Sequence, residues 1–343
     1  MKFFTDEGWL NMRGIREMES PFIFLVGARG IGKTYGGCLD LMENFKETGK
    51  KFIYMRRTDS QVDYVASAEG NPFNEINRDT GSNVIIRKVN KKLKGFYLDP
   101  DATEPMGLIM ALSTFSGKRS ISFSAYDILF YDEFIPEEHD RPIKNEAQAF
   151  FNIVETIARN RELSGKPPLK VICCSNANTV DNPLFLELGL VTRALKMAKN
   201  HVPIYTNKEM GFTLLVPFGS AISKAKEETA LYKLTKKSRE FQNMALENVF
   251  NDEVSDNVRS LNLSQYSSLV QVGELFVYEH KTERRYYVSS HRQGTFPYVF
   301  SAGEMDLTRF RTRFSFLWFA HLRMNIFFES YIEQLLFEKY FKV

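Results

Sequence analysis

The sequence predicts an α/β fold, and two observations support this prediction. The apolar run Phe22–Val26 is followed by the glycine-rich stretch Gly27–Thr34 and then by a helical pattern over Tyr35–Met42. Beyond this strand, loop and helix, short apolar runs such as Phe52–Met55 and Ile128–Tyr131 continue to alternate with helical patterns. Runs of this length between helices are typical of buried strands in an α/β domain.

Length and a change in composition divide the chain into three predicted parts. A chain of 343 residues is too long for one ordinary core. From about residue 219 the sequence becomes rich in Lys, Glu and Ala with a helical pattern, and from Leu269 a β pattern returns. We therefore predict a P-loop domain over residues 1–218, a helical linker over residues 219–255 and a small α+β domain over residues 256–343.

Local patterns predict several further elements. Val84–Val89 and Gly95–Leu98 flank a basic turn, which predicts a β-hairpin. Apolar residues at helical spacing predict one helix over Glu146–Arg161 and a second over residues 183–199. In the last domain, the apolar run Leu269–Tyr278 is predicted as a single strand.

Composition limits the classes of protein that fit. Hydrophobic residues make up 43% of the chain and charged residues 25%, as in ordinary globular proteins. The formal net charge is only +3, so a nucleic-acid surface has to come from local clusters of cations. The chain has three cysteines, and two of them, Cys173 and Cys174, are adjacent, which argues against a disulfide framework and for a reducing compartment. No apolar run approaches the roughly 20 residues that span a bilayer, so no membrane partner is expected.

The glycine-rich stretch has the spacing G-x-x-x-x-G-K-T between a predicted strand and a predicted helix. Glycines let successive backbone N–H groups converge on a phosphate chain, and the helix N-terminus adds a partial positive charge. In such a loop Lys33 reaches the β- and γ-phosphates, and the hydroxyl of Thr34 ligates Mg²⁺. ATP with Mg²⁺ is therefore expected, and the predicted contacts are the loop residues Gly27, Ala28, Arg29, Gly30, Ile31, Gly32, Lys33 and Thr34.

Two carboxylates end the predicted strand Ile128–Tyr131. Asp132 would hold the metal ion, and Glu133 would polarise the attacking water. A glutamate beside the metal-binding aspartate, on a strand that does not directly follow the loop, favours the additional-strand, catalytic-glutamate class of P-loop ATPases. The sequence contains no Asn-Lys-x-Asp motif for reading guanine. Catalytic roles are therefore predicted for Glu133, which would polarise water, and for Lys33 of the glycine-rich loop, which would contact the β- and γ-phosphates.

Other polar residues near predicted strand ends have two interpretations each. Ser175-Asn176 follows the apolar run Leu169–Cys174, and Asn176 either senses the γ-phosphate or belongs to an ordinary turn. Arg29 and Arg56 either contact nucleotide or DNA, or they are solvated charges.

Two basic segments are also open to two interpretations. Arg159 and Arg161 end a predicted helix, where a cation is favourable through the helix dipole alone. In the functional interpretation, an arginine finger from this segment reaches ATP on a neighbouring subunit of a ring. Lys118-Arg119 is predicted at the tip of a turn, as a pore loop that touches phosphates or as an ordinary exposed turn.

Five motifs occur in an order that resembles one family. They are VGARGIGKT at residues 26–34, FIYMRR at 52–57, FYDEF at 130–134, ARNRE at 158–162 and SNA at 175–177. Together they resemble the DNA-packaging (encapsidation) ATPases of small, protein-primed, phi-twenty-nine-like podophages. The resemblance covers the N-terminal two thirds of the chain and continues more loosely to the end.

The resemblance implies a function and a set of partners. It implies a homo-oligomeric ring, usually a pentamer, that uses ATP to translocate double-stranded DNA into a procapsid. It also implies attachment through a structural packaging RNA, and work in the host cytoplasm, transiently at the portal vertex. By matching position, Arg159 would be the trans-acting arginine finger, and Lys118 or Arg119 would lie between subunits near DNA or the neighbouring ATP. Arg56 would belong to the nucleotide-responsive lid region.

For residues 256–343 the resemblance implies a vestigial, RNase H-like nuclease domain that binds nucleic acid. The acidic residues there form no convincing triad at strand ends; they include Glu274, Glu279, Glu304 and Asp306. Arginines would make the phosphate contacts, namely Arg284, Arg285, Arg292, Arg309, Arg311, Arg313 and Arg323. Three rivals stay open: a terminase-like ATPase with an active C-terminal nuclease, a structural ring that binds ATP only for assembly, and a helicase or replication-loader ring ATPase.

Overall fold

The computed structural model describes residues 2–90, 93–115, 122–137, 140–180, 182–235 and 257–341. The chain divides into two compact units, of which one comprises Met1–Leu188 with Ala194–Asn251, and the other comprises Gly189–Arg193 with Asp252–Val343. The three-domain division made from the sequence remains a prediction, and much of the predicted linker lies outside the described residues.

The first unit is built on a nine-stranded sheet. Its strands are β1 (Phe22–Val26), β2 (Lys51–Arg56), β3 (Ile85–Lys88), β4 (Lys94–Tyr97), β5 (Gly107–Ala111), β6 (Tyr126–Asp132), β7 (Lys170–Ser175), β8 (Ile204–Asn207) and β9 (Phe212–Leu215). The helices of this part of the chain are α1 (Met12–Arg16), α2 (Lys33–Thr48), α3 (Asp59–Val65), α4 (Asn74–Thr80), α5 (Glu146–Ala158), α6 (Pro183–Glu187), α7 (Val191–Lys199), α8 (Ala221–Lys226) and α9 (Ala230–Leu234).

In the sheet, β7 lies between β1, which precedes the glycine-rich loop, and β6, which ends at Asp132. The order is β3-β4-β5-β2-β6-β7-β1-β9-β8, with parallel pairing from β5 to β9 and antiparallel pairs at both edges. Cys173 on β7 pairs with Phe24 on β1 and with Tyr131 on β6. Because the three strands run parallel, their carboxyl ends lie side by side at the same end of the sheet, where ligands bind in such folds.

Close packing of α2 on the sheet fixes the position of the loop that precedes this helix. A Cβ atom on Gly37 would lie 2.8 Å from Cε2 of Phe130, closer than real Cβ contacts allow. Glycine at this position therefore lets the first turn of α2 approach β6. The central strands are buried along nearly their whole length, which explains why they appear in the sequence as continuous apolar runs.

A buried ion pair joins the end of β2 to the start of α5. Arg57 is 1% exposed and donates from Nε and Nη2 to the two carboxylate oxygens of Glu146, at 2.7 and 2.9 Å. Its Nη1 also donates to Asp140 at 3.1 Å. The paired geometry fixes the chain that follows the sheet edge where the predicted site lies.

Local predictions for residues 1–235 have mixed outcomes. The predicted hairpin is confirmed by the antiparallel pair β3–β4. The helix predicted over Glu146–Arg161 ends at Ala158, and Arg159 is its C-terminal cap with a φ of +43°. The single helix predicted over residues 183–199 is wrong, because α6 and α7 are separated around Gly189, which has a φ of +65°.

The second unit contains a five-stranded mixed sheet. Its elements are β10 (Tyr266–Val272), β11 (Leu275–His280), β12 (Tyr286–Ser289), β13 (Val299–Phe300), α10 (Glu304–Arg313), α11 (Ser315–Leu322), β14 (Ile326–Phe328) and α12 (Tyr331–Phe341). The order is β13-β10-β11-β12-β14, with antiparallel pairs β10–β11 and β11–β12 and parallel pairs at both edges. Aromatic side chains such as Phe310, Phe328 and Phe337 form its core.

The single strand predicted over Leu269–Tyr278 is wrong. β10 ends at Val272 and β11 begins at Leu275, so the run is a tight hairpin. Gly273 makes the turn with a φ of +52°, and its missing side chain leaves room for the ring of Tyr340. Among the described residues, no helix is both long and apolar enough to cross a membrane.

Candidate functional site

The glycine-rich loop lies between β1 and α2, as the sequence predicts. Gly30 has a φ of +65° and Gly32, which caps α2, has a φ of +89°, conformations that side-chain-bearing residues rarely adopt. A Cβ on Gly27 would lie 2.8 Å from Cδ1 of Ile31 and 3.3 Å from Cδ of Lys33. The loop therefore folds tightly around the lysine, and its backbone conformation favours glycine at positions 30 and 32.

The buried ammonium of Lys33 lies inside this loop. Its Nζ donates to the carbonyl oxygens of Gly27 at 2.8 Å and Ala28 at 2.6 Å, and to Oδ1 of Asn176 at 2.8 Å. Burial lowers the pKa of Lys33 to about 8, because the charged form has lost its water. The structure thus brings Asn176, at the end of β7, together with the loop as the sequence predicts, although its sensing role remains a prediction.

Three side chains converge on the carboxylate of Asp132, which is 1% exposed. The hydroxyl of Thr34 lies 3.0 and 3.2 Å from its two oxygens. Tyr54 donates to Oδ2 at 2.7 Å, and Nη1 of Arg56 donates to the same oxygen at 3.0 Å. A threonine hydroxyl beside an ionisable carboxylate is an oxygen pair suited to Mg²⁺.

Glu133 follows Asp132 with the backbone in the left-handed region, at a φ of +54°. Its carboxylate accepts a hydrogen bond from Nη2 of Arg56, so this arginine bridges both carboxylates. Burial raises the pKa of Glu133, and the charge of Arg56 acts in the opposite direction. A carboxylate with a raised pKa is a stronger base than an ordinary glutamate.

A cavity of about 1250 Å³ opens beside the loop, within the first unit. The predicted residues that line it are Arg29, Gly30, Gly32, Lys33, Thr34, Asp132, Glu133 and Asn176. Nε of Arg29 is buried and has no hydrogen-bond partner within the described part of the chain. An unsatisfied cationic donor beside a glycine cradle fits an anionic ligand, and the oxygens of Thr34 and Asp132 fit its metal ion. The residues present therefore suit the phosphates of ATP with Mg²⁺.

Two residues near the site have structural contacts that the sequence did not predict. The guanidinium of Arg29 forms an ion pair with Glu137 at 2.6 Å, and both side chains are 42% exposed. Ser175 is buried, its Oγ accepts from the backbone N–H of Ile135 at 3.3 Å, and its carbonyl accepts from Gly27 at 3.0 Å. Ser175 therefore ties the ends of three strands together through its hydroxyl and its carbonyl, whereas Asn176 contacts Lys33 of the loop through its side chain.

Arg159 does not line the cavity. Two residues later, Arg161 is buried and donates to the carbonyl of Tyr126 at 2.9 Å and to Asp127 at 2.6 Å, at the start of β6. Asp132 ends the same strand, roughly 20 Å away at about 3.3 Å per residue. Arg161 is thus a structural residue, and Arg159, two positions earlier, is exposed.

The structure does not test the remaining predicted nucleic-acid residues. Lys118 and Arg119 lie outside the described residues. In the second unit, Asp306 accepts from the N–H and hydroxyl of Ser301 at the start of α10. The part of the chain that the structure describes contains no group of three or more His, Cys, Asp or Glu residues able to hold a metal ion. Nucleic-acid binding by the arginines of this unit remains a prediction.

Three residues that lie at the site were not predicted from the sequence. Tyr54 on β2 donates a hydrogen bond to Asp132, and Lys226 on α8 donates one to the loop. Trp9 packs against Gly32, with its Cε3 about 3.2 Å from the position that a Cβ on this glycine would take. Tyr54 had a usable signal, because it is two residues from Arg56 and so faces the same side of the strand. Trp9 and Lys226 had none, since neither belongs to a motif with fixed spacing from the loop.

The fold and the site together define a protein of the P-loop class. The profile of the family described as "Podovirus DNA encapsidation protein (Gp16)" matches residues 9–302. The chain therefore belongs to this family, as the order of its motifs predicts.

Individual relatives agree with this assignment. The DNA packaging protein of Bacillus phage phi29 is 32% identical over 169 residues, which cover 49% of this chain and 46% of that protein. The DNA packaging protein of Bacillus phage B103 is 33% identical over 171 residues, 49% of this chain and 48% of that protein. The chain thus spans about half the length of the curated relatives it matches.

A solved structure shares the fold over nearly the whole chain. It is a chain from the structure described as "The bacteriophage Phi-29 viral genome packaging motor assembly", at a TM-score of 0.69 and 18% identity. The match covers 97% of this chain and 98% of that chain. At this identity the similarity concerns the fold.

Proposed function

We propose that this protein hydrolyses ATP and uses the energy to move double-stranded DNA into a viral procapsid. The observation that carries the proposal is the meeting of Thr34, Asp132 and Glu133 at the mouth of the P-loop. The strand β7 between β1 and β6 supports placement in the additional-strand, catalytic-glutamate class.

Binding of the nucleotide is assigned to the loop and its lysine. The backbone N–H groups at the start of α2 and the ammonium of Lys33 would hold the phosphates, exchanging the carbonyl contacts of Lys33 for phosphate oxygens. Thr34 and Asp132 would hold Mg²⁺, which when bound neutralises phosphate charge. Tyr54 and Arg56 orient Asp132 for this task.

Glu133 is assigned the proton transfer. Its carboxylate lines the cavity beside Asp132, and its raised pKa suits a group that accepts a proton from the attacking water. In the described structure, Arg56 holds this carboxylate, so release of that contact would free Glu133 to reach water. Asn176, which contacts Lys33, would sense the terminal phosphate.

The proposal that this protein moves DNA is supported by its membership of the encapsidation family and by relatives that are named DNA packaging proteins. The proposed partners are double-stranded DNA, a portal on a procapsid and a structural packaging RNA, with action in the host cytoplasm. Arg159 is exposed and does not line the cavity beside its own P-loop, which supports its assignment to the ATP site of a neighbouring copy in a ring, expected to be a pentamer. Lys118 and Arg119 are assigned to DNA or to the subunit boundary.

The second unit is assigned to nucleic-acid binding. Its three antiparallel strands, flanked by parallel edge strands and helices, support a vestigial RNase H-like domain. Exposed arginines, including Arg284, Arg292 and Arg309, would contact phosphates.

The experiment that tests the proposal is ATP hydrolysis with and without double-stranded DNA and procapsids. We expect turnover that rises when both are present. We expect Glu133→Gln to abolish turnover while ATP binding is retained, which would separate an ATPase from a protein that binds ATP only for assembly. An ATP turnover rate that is the same with and without DNA and procapsids would overturn the packaging assignment.

A further inference from the structure

We propose that Lys226 is a second phosphate-binding lysine, which α8 delivers to the P-loop so that it contacts the terminal phosphates of the bound nucleotide. This inference rests on the proposed function and extends it to a residue outside every recognised motif. Lys226 follows Arg29 by 197 positions, and its Nζ donates to the carbonyl of Arg29 at 2.6 Å.

Lys226 approaches the loop at Gly30. Its Nζ occupies the space that a Cβ on Gly30 would enter, and the φ of +65° at Gly30 separately favours glycine. Lys226 lines the same cavity as Lys33 and Thr34. An ammonium carries three N–H donors, and the carbonyl of Arg29 accepts one of them.

Two ammonium groups therefore converge on one loop. Burial lowers the pKa of Lys226, and the charge of Lys226 contributes to the lowered pKa of Lys33. Like charges brought together in a half-buried cavity repel each other, and a polyanion bound beside them relieves that repulsion. The triphosphate of ATP is the anion that the proposed function brings to this cavity.

Contacts at the start of α8 hold the helix in place for this role. Ser220 caps the helix, and its Oγ donates to the carbonyl of Gly8 at 2.8 Å. Gly8, with a φ of +89°, leaves no room for a side chain beside Ala221. The backbone N–H of Leu10 in turn donates to the carbonyl of Ile31 in the loop at 2.9 Å. A segment anchored in this way positions Lys226 as a fixed part of the site.

The test compares nucleotide affinities in full-length Glu133→Gln protein, in which ATP stays intact. Titration calorimetry would measure ATP and AMP binding, each with Mg²⁺, for the parent and for Lys226→Ala, Lys226→Arg and Lys224→Ala. Lys224 lies on the same helix and is exposed, so it is the matched control. We expect Lys226→Ala to weaken ATP binding about 10- to 100-fold, as for a lost hydrogen bond to a charged group, while AMP binding stays the same.

We expect Lys226→Arg, which keeps the charge, to restore part of the ATP affinity, and Lys224→Ala to behave like the parent. Equal losses for ATP and AMP would show a merely structural role and overturn the proposal, as would unchanged ATP affinity in Lys226→Ala. A parent that binds ATP normally confines such a failure to Lys226. A parent that binds no ATP would overturn the proposed function as well.

Discussion

The hydroxyl of Tyr54 lies 2.7 Å from Oδ2 of Asp132, and both side chains are buried. Burial, together with the charge of Asp132, raises the pKa of Tyr54 well above its usual value, so the phenol stays protonated and donates. Tyr54→Phe removes this hydrogen bond and keeps the ring. We expect a loss of about 0.5–1.5 kcal/mol in the free energy of unfolding, and a several-fold higher Mg²⁺ requirement for ATP hydrolysis.

Tyr64→Phe is the control for this prediction, because Tyr64 is 66% exposed. Urea unfolding and Mg²⁺ titration of ATPase activity would measure both variants. An effect of Tyr54→Phe no larger than that of the control would contradict a role for Tyr54 in holding Asp132.

The affinity for ATP should depend on pH through Lys33. The free protein has a pKa of about 8 at this residue, and bound phosphate raises that pKa because it stabilises the charged form. Below about pH 8 Lys33 is charged in both states, so it adds no pH dependence. Above about pH 8 affinity should fall by up to tenfold per pH unit until the pKa of the complex is reached.

Calorimetry from about pH 7 to pH 10 would measure this dependence. In Lys33→Arg the cation does not titrate in this range, so the contribution of residue 33 should disappear. The assignment fails if Lys33→Arg shows the same fall in affinity as the parent, because other groups such as Lys226 would then account for it.

The site could be predicted from the sequence where it rests on local patterns. The loop, Asp132, Glu133 and Asn176 lie just after apolar runs that form parallel strands. The carboxyl ends of parallel strands lie at the same end of the sheet, so these residues come together. Tyr54 and Lys226 could not be placed, because their partners depend on sheet order and on contacts 78 and 197 positions apart. Strand order is a property of long-range packing that no local period encodes.

The two errors in the predicted elements occur at single glycines. Gly273 turns the chain within two residues, and apolar residues on both sides of it hide the turn in what looks like one strand. Gly189 interrupts a helical pattern that otherwise continues to Lys199. A single glycine is compatible with either continuation, and tertiary contacts decide between them.

The buried ion pair of Arg57 and Glu146 should be important for stability. Arg57→Met leaves the carboxylate of Glu146 buried without its main partner. We expect a loss of about 3–5 kcal/mol in the free energy of unfolding, measured by urea denaturation. Arg13→Met is the control, because Arg13 and Glu47 are about half exposed and water screens their ion pair; there we expect a much smaller loss. Similar losses in both variants would contradict this account.

The trans assignment of Arg159 predicts rescue between inactive variants. Arg159→Ala should lower ATP turnover about 1000-fold or more, as expected for an arginine finger, and Glu133→Gln should also be inactive. In mixed rings, an Arg159→Ala subunit keeps Glu133 and can receive Arg159 from a Glu133→Gln neighbour. Activity should therefore return in the mixture, and Lys166→Ala, an exposed change in the following loop, should stay active throughout. No rescue in the mixture argues against the finger.

In the proposed function, ATP hydrolysis at this site moves DNA into a procapsid. The most direct measurement is the amount of DNA protected from nuclease after procapsids, DNA, packaging RNA and the protein are incubated with ATP. We predict protected DNA with the wild-type chain and none with Glu133→Gln, although that variant still binds ATP. Equal protection by the two proteins, or none by the wild type under conditions in which it hydrolyses ATP, would contradict the claim.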